Sequence, residues 1–209
     1  NTIGAQAFQN CTNLQTIILK GVSYIGDAAF NNAFIAQNDA LATQNPVSLD
    51  LRSAQYIGTG AFDSSVWTST TTTGGGSSEQ VLPGTNSDSS NTVVEAQNLS
   101  KISSVSFSKP LTTLSAYAFN GANYLTAADL SSCTSLAKVG NNAFSGTQNL
   151  ASVKFSNTID SIGDNAFDGA TSLKTANFPS GLQTIGTAAF SGSPLNGSFN
   201  PESTTLEIG

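Results

Sequence analysis

Ile162-Gly163-Asp164-Asn165-Ala166-Phe167 is one copy of a six-residue box, aliphatic-Gly-x-x-Ala-Phe, that returns along the whole chain. Further copies are Ile3-Gly4 to Phe8, Ile25-Gly26 to Phe30, Ile57-Gly58 to Phe62, Val139-Gly140 to Phe144 and Ile185-Gly186 to Phe190. Leu114-Ser115 to Phe119 is a variant with serine in the glycine position. Phe119, Phe144, Phe167 and Phe190 are separated by 25, 23 and 23 residues. Self-similarity at a fixed period of about 20 to 50 residues marks a solenoid, in which each repeat is one coil.

Each part of the box has a job that a stacked coil needs done once per turn. The aliphatic residue ends an inward-facing segment, and glycine allows a tight or left-handed backbone where a Cβ would clash. The two variable residues face water. Alanine leaves space beside the phenylalanine, and phenylalanines of successive coils are expected to form an interior ladder of ring contacts. The box holds no nucleophile, general base or dependable metal ligand, so its reading is structural.

Outside the box, each coil carries a stretch whose alternate residues are apolar, the pattern of a short half-buried strand. These are Leu14-x-x-Ile17-x-Leu19, Val47-x-Leu49-x-Leu51, Ile102-x-x-Val105-x-Phe107, Leu125 to Leu130, Leu150-x-x-Val153-x-Phe155 and Leu173-x-x-Ala176-x-Phe178. A second, shorter extended segment leads into the next box, as in Val22-x-x-Ile25 and Leu182-x-x-Ile185. No segment shows the sustained 3.6-residue period of an amphipathic helix. The expected fold is a single right-handed solenoid over residues 1–209, about 23 residues per repeat, with a parallel ladder of short strands and little helix. At most, the box itself is expected to form one helical or 3₁₀ turn.

Two gaps break the rhythm. Phe30 and Phe62 are 32 residues apart, and Phe62 and Phe119 are 57 apart. Both surpluses fall between the phenylalanine and the following strand, so they leave the same edge of neighbouring coils. The segments at about 33–45 and 64–98 are therefore expected to lie side by side as a lateral lobe. The Thr- and Gly-rich run from Thr70 to Ser78 is flexible by composition. Trp67 is the lobe's candidate anchor, either as a staple on the stack or as a recognition residue.

The chain has 209 residues, 38% of them hydrophobic, and no apolar run approaches the ~20 residues of a membrane span. Lys and Arg number 7 against 13 Asp and Glu, for a net charge of −6. That balance lacks the basic footprint of a nucleic-acid binder. Its polar surface is mostly Ser, Thr, Asn and Gln, a balance expected of extracellular surface proteins. Cys11 and Cys133 lie several coils apart; at roughly 4.8 Å per coil their separation is on the order of 20 Å, beyond disulfide reach. Two free and mostly buried thiols are expected. The chain opens inside one box and ends on what resembles the start of another, which reads as a fragment of a longer protein.

The joined pattern Ile162-Gly163-x-x-Ala166-Phe167-x-Gly169-x-x-x-Leu173-x-x-x-x-Phe178-Pro179-x-x-Leu182-x-x-Ile185-Gly186 resembles the BspA-like leucine-rich repeats of bacterial and protist surface proteins. Phe8-Gln9-Asn10-Cys11-Thr12-Asn13-Leu14 matches the Phe-x-x-Cys-x-x-Leu link of that family. Ala122, Thr147 and Ala170 stand where the link often has cysteine. The resemblance implies an extracellular or cell-surface module, in several members an adhesin contacting host matrix proteins or other cells. It supplies no catalytic residue and no cofactor.

Histidine is absent, which removes the commonest general base and any Ser-His-Asp arrangement. Asp160, Asp164 and Asp168 fall four residues apart around one box, but their spacing is not a calcium-loop signature. Val81-Leu82-Pro83-Gly84-Thr85-Asn86 only approximates a cell-wall sorting signal, since Asn86 replaces the glycine and no apolar tail follows. The sequons at Asn10, Asn98 and Asn196 are what chance gives in a chain this rich in Asn, Ser and Thr. The most credible surface is the outward side of the strands, with Ile18, Asp50, Ser106, Asp129, Lys154 and Asn177 in its central row and Arg52 beside it. Its expected partner is a host, neighbouring-cell or matrix protein, with a glycan as the alternative. Asp50 and Asp129 would both lie on this face as a carboxylate pair for acting on glycans, but nothing singles them out. An ordinary solvated sheet, with Asp129 and Lys154 as a cross-strand pair, accounts for the same residues.

Overall fold

In the computed structural model, which describes residues 1–36, 46–65, 99–195 and 207–208, the segment that enters each box builds the longest sheet. Strands Thr2–Ile3, Tyr24–Ile25, Tyr56–Ile57, Thr113–Leu114, Lys138–Val139, Ser161–Ile162, Thr184–Ile185 and Glu207–Ile208 pair in parallel as one eight-stranded ladder. Each strand has only two residues and is held by its neighbours in constant register; in Tyr24–Ile25, Lys138–Val139 and Thr184–Ile185 the first residue faces outward and the second inward. Ile25 pairs with Ile57, Leu114 with Val139, and Ile162 with Ile185. These inward aliphatics are buried.

The strands expected from the alternating pattern also form, but in shorter pieces. Val47–Asp50 pairs in parallel with Ile102–Ser106, and Ala127–Asp129, Ser152–Lys154 and Thr175–Asn177 make a three-stranded parallel sheet. Between the two pieces a Thr126 N–H reaches the Ser103 carbonyl at 3.4 Å. In the first coil, residues 14–19 form no strand. The main ladder thus sits one segment later than the sequence reading placed it. The reason is distance from the box: the entering segment always abuts it, whereas connections of unequal length precede the other strand, whose register slips between Val47 and Ser48.

The interior is the expected phenylalanine ladder. Rings of Phe8, Phe30, Phe62, Phe119, Phe144, Phe167 and Phe190 stack in sequence with centroids 5.0 to 5.5 Å apart and planes within 8°. That spacing is favourable for aromatic pairs. Phe107, Phe155 and Phe178 meet this ladder edge-on. Phe34 packs against both Phe30 and Phe62. Ala33 and Phe34 are therefore core residues, although the sequence reading assigned them to the first insertion.

The box glycine works by close approach alone. At Gly26, Gly58, Gly140 and Gly186 a Cβ would meet the preceding coil's backbone at 2.5 to 2.6 Å, and none of these glycines has a positive φ. The left-handed residue is the second variable one: Gln6, Ala28, Gly60, Tyr117, Asn142, Asn165 and Ala188 have φ of 51° to 60°. That reversal stops the box from winding into a helical or 3₁₀ turn, and the described residues contain no helix. It also makes the box a two-way connector. The glycine N–H donates back to the previous coil, as Gly163 does to Val139, and the phenylalanine N–H donates forward, as Phe144 does to Ala166.

Cys11 and Cys133 are both free, with Cys133 buried and Cys11 exposed. Residues equivalent to Cys11 in inner coils, Ala33, Ala122, Thr147 and Ala170, are buried. Strands Ile35–Ala36 and Leu99–Ser100 pair antiparallel, joining the roots of the two insertions. Beside them the Lys101 ammonium donates to the Leu14 carbonyl at 3.1 Å, reaching from the third coil to the first. The expected lobe, with Trp67 and residues 37–45 and 66–98, lies outside the described residues.

Candidate binding face

With coils counted from box to box, the row proposed from sequence takes one residue from each of coils 1 to 6. Asp50 is in register with Ser106, and Asp129, Lys154 and Asn177 are in register with one another. Their inward neighbours Leu49, Val153 and Ala128 are buried, so alternation along each strand turns this row to solvent. Ile18, in the first coil, is 88% exposed although its segment is not a strand. A second outward row runs beside it, in which the Ser104 hydroxyl donates to Ser48 at 2.7 Å. Lys154 lies 3.4 Å from Asp129.

Two carboxylates on this face have local partners. Asp50 accepts from the Arg52 side chain at 2.9 and 2.7 Å and from the Arg52 backbone N–H at 3.2 Å. These hydrogen bonds, the side-chain ones foremost, lower its pKa to about 2. Asp129 accepts from the Ser131 hydroxyl and backbone N–H, and the hydroxyl is the main reason its pKa also falls. In both cases a strand-ending aspartate binds the N–H two residues on, an Asx turn that bends the chain toward the next segment. Asn177 is used differently, its side-chain oxygen accepting from the Phe155 N–H in the neighbouring coil at 3.0 Å. The signal for the turns is in the sequence, as Asp50-Leu51-Arg52 and Asp129-Leu130-Ser131, and reading it from periodicity alone missed it.

Asp164 also has a structural partner, accepting from the Thr187 N–H of the next coil at 2.8 Å, as Asp27 does from Thr59. Among the described residues no three potential metal ligands gather, and no helix is long and apolar enough to cross a membrane. The sequence reading also missed a stacked pair on the outward side of the long ladder, where the rings of Tyr24 and Tyr56 lie 4.6 Å apart.

The family model for the BspA type leucine-rich repeat region matches residues 1–75 and 95–209 in 6 copies. A leucine-rich repeat protein from Bacteroides ovatus ATCC 8483 superposes with a TM-score of 0.59 at 20% identity, over 98% of this chain and 42% of that one. A leucine rich cell surface protein from Faecalibacterium prausnitzii A2-165 aligns with a TM-score of 0.41 at 18% identity, over 92% of this chain and 55% of that one. The chain thus spans about half or less of the length of these solved proteins. No curated protein matches it. A box repeated in register, a phenylalanine ladder without helix and a family match over most of the sequence agree: the chain belongs to the BspA type leucine-rich repeat family.

Proposed function

We propose that this chain is a non-enzymatic recognition module of an extracellular or cell-surface protein, used for adhesion or protein binding through its strand face. The observation that carries the reading is the face itself, outward side chains left open to solvent, with Asp50 in register with Ser106 and Asp129, Lys154 and Asn177 in register with one another. Extended solenoid faces of this kind commonly serve recognition, and family membership supports display outside the cell. Enzymatic use of the face is disfavoured by its carboxylates. Asp50, with its pKa near 2, stays ionised at neutral pH and cannot donate a proton as a glycosidase acid must.

The test is a binding screen with the purified chain immobilised against extracellular-matrix proteins and a glycan array. Saturable binding to a matrix protein, weakened by substitutions in the outward row, is the expected result. Binding to nothing would favour a spacer that displays other domains. Turnover of a glycan abolished by Asp50→Asn or Asp129→Asn would overturn the non-enzymatic reading.

A further inference from the structure

Three of the chain's seven Lys and Arg residues fall on one bend in consecutive coils. Lys20 follows buried Leu19, Arg52 follows buried Leu51, and Lys109 lies two residues beyond buried Phe107. All three are exposed. The corresponding bends of coils 4 to 6 carry Ser131, Ser156 and Pro179. Hydrogen bonds hold the three bends together: the Gly21 N–H donates to the Ser53 hydroxyl at 3.1 Å, the Leu51 N–H to the Ser106 carbonyl at 2.9 Å, and the Thr112 N–H to the Gln55 carbonyl at 2.9 Å.

This ridge is bordered by apolar surface on both sides. Toward the strand face stands Ile18, 88% exposed, and toward the long ladder stands Tyr24, 42% exposed and stacked on Tyr56. Only one other large apolar side chain, Phe8, is exposed among the described residues. The charge balance is also local. The whole chain is at −6, yet among the described residues Lys20, Arg52 and Lys109 meet one acid on the ridge, Asp50. Among the described residues Lys20 and Lys109 have no ion pair. The box edge is the reverse, with Asp27, Asp63, Asp164 and Asp168 and no Lys or Arg.

We propose that this corner of coils 1 to 3 docks an acidic protein segment in which an apolar side chain sits among carboxylates. The inference rests on the recognition reading and adds the chemistry of the partner and the place where it binds. The cations supply charge complementarity, which steers encounter and fixes orientation. Ile18 and the tyrosine edges supply an apolar contact beside Arg52, the residue types that anchor protein interfaces. An anionic glycan would satisfy the cations and leave Ile18 in water, which is why a polypeptide is the favoured occupant.

The probe is a short fluorescent peptide of glutamates interrupted by leucines, followed by anisotropy, with a glutamate-serine peptide and heparin as comparisons. Binding of the leucine peptide should weaken about tenfold or more when Lys20, Arg52 and Lys109 are together changed to Gln. It should weaken several-fold in Ile18→Ser, and fade as salt shortens the Debye length from ~10 Å toward ~3 Å. Lys138→Gln, exposed on the outward side of the long ladder and outside the proposed row, should leave it unchanged. All these side chains are exposed, so an unaltered far-UV spectrum and melting temperature verify folding. The proposal is overturned if the serine peptide binds equally well, if heparin binds while Ile18→Ser has no effect, or if Lys138→Gln is as damaging as the triple change. A matrix protein whose binding survives the triple change would sink this corner and leave the recognition reading intact. Absence of any binding by the unmodified chain would sink both.

Discussion

Gly4 and Gly58 hold the same place in their boxes and meet different surroundings. A Cβ on Gly58 would lie 2.5 Å from the Asp27 carboxylate and 2.6 Å from the Asp27 backbone nitrogen, while one on Gly4 would meet nothing within 4 Å. Gly58→Ala should therefore destabilise the stack by about 1–3 kcal/mol or more through overpacking, and Gly4→Ala should be nearly neutral, as chemical denaturation can measure. If the two cost the same, close coil approach is not what the box glycine provides. Phe144→Ala or Phe167→Ala removes a fully buried ring stacked on both sides, with an expected loss of ~3–5 kcal/mol. The thiols offer a chemical check. Cys11 should react with a thiol reagent in the native state, and Cys133, buried and with its pKa pushed up to about 11 by desolvation, only after unfolding.

At the scale of the element, strand-face behaviour is set by the Asx turns. Asp50 has a lowered pKa, so whatever its pairing contributes to stability is present above the unfolded carboxyl value and lost as pH falls through about 2. The pair is exposed, its side chains 67% and 42% accessible, so the effect on stability is small and the titration is the better readout. Arg52→Ala should return the Asp50 midpoint, followed by carboxyl NMR shifts, toward ordinary aspartate values. An unchanged midpoint would mean that Arg52 does not hold Asp50. The same elements show what a sequence yields. Periodicity placed Asp50, Asp129, Lys154 and Asn177 outward because alternation is local, and spacing placed the phenylalanine ladder because every coil repeats it. The dominant sheet was not legible, since a two-residue strand has no pattern of its own and exists only through its neighbours. The ridge of Lys20, Arg52 and Lys109 was there to be read, each lying five residues before the aliphatic that opens the next box, but a reading of apolar periodicity passes over charges.

For the whole molecule, stability is distributed coil by coil, since each coil touches mainly the next and none can bury its apolar face alone. The fold was legible because seven boxes say the same thing; a binding face can be read from them only as a proposal, because a partner is recognised by what differs between coils. The insertions belong to this scale as well. With Ile35–Ala36 and Leu99–Ser100 paired at their roots, a lateral lobe beside an intact stack stands as a proposal, in which Trp67 is the residue to probe. The claim on which everything rests is that the box ties each coil to both neighbours. Native-state hydrogen exchange resolved to single amides tests it directly. Gly58 and Gly163, donating backward, and Phe62 and Phe144, donating forward, should be protected together and lose protection in one cooperative step as denaturant rises. Rapid exchange at the phenylalanine amides, or separate openings for the glycine and phenylalanine sets, would contradict a continuous two-way stack.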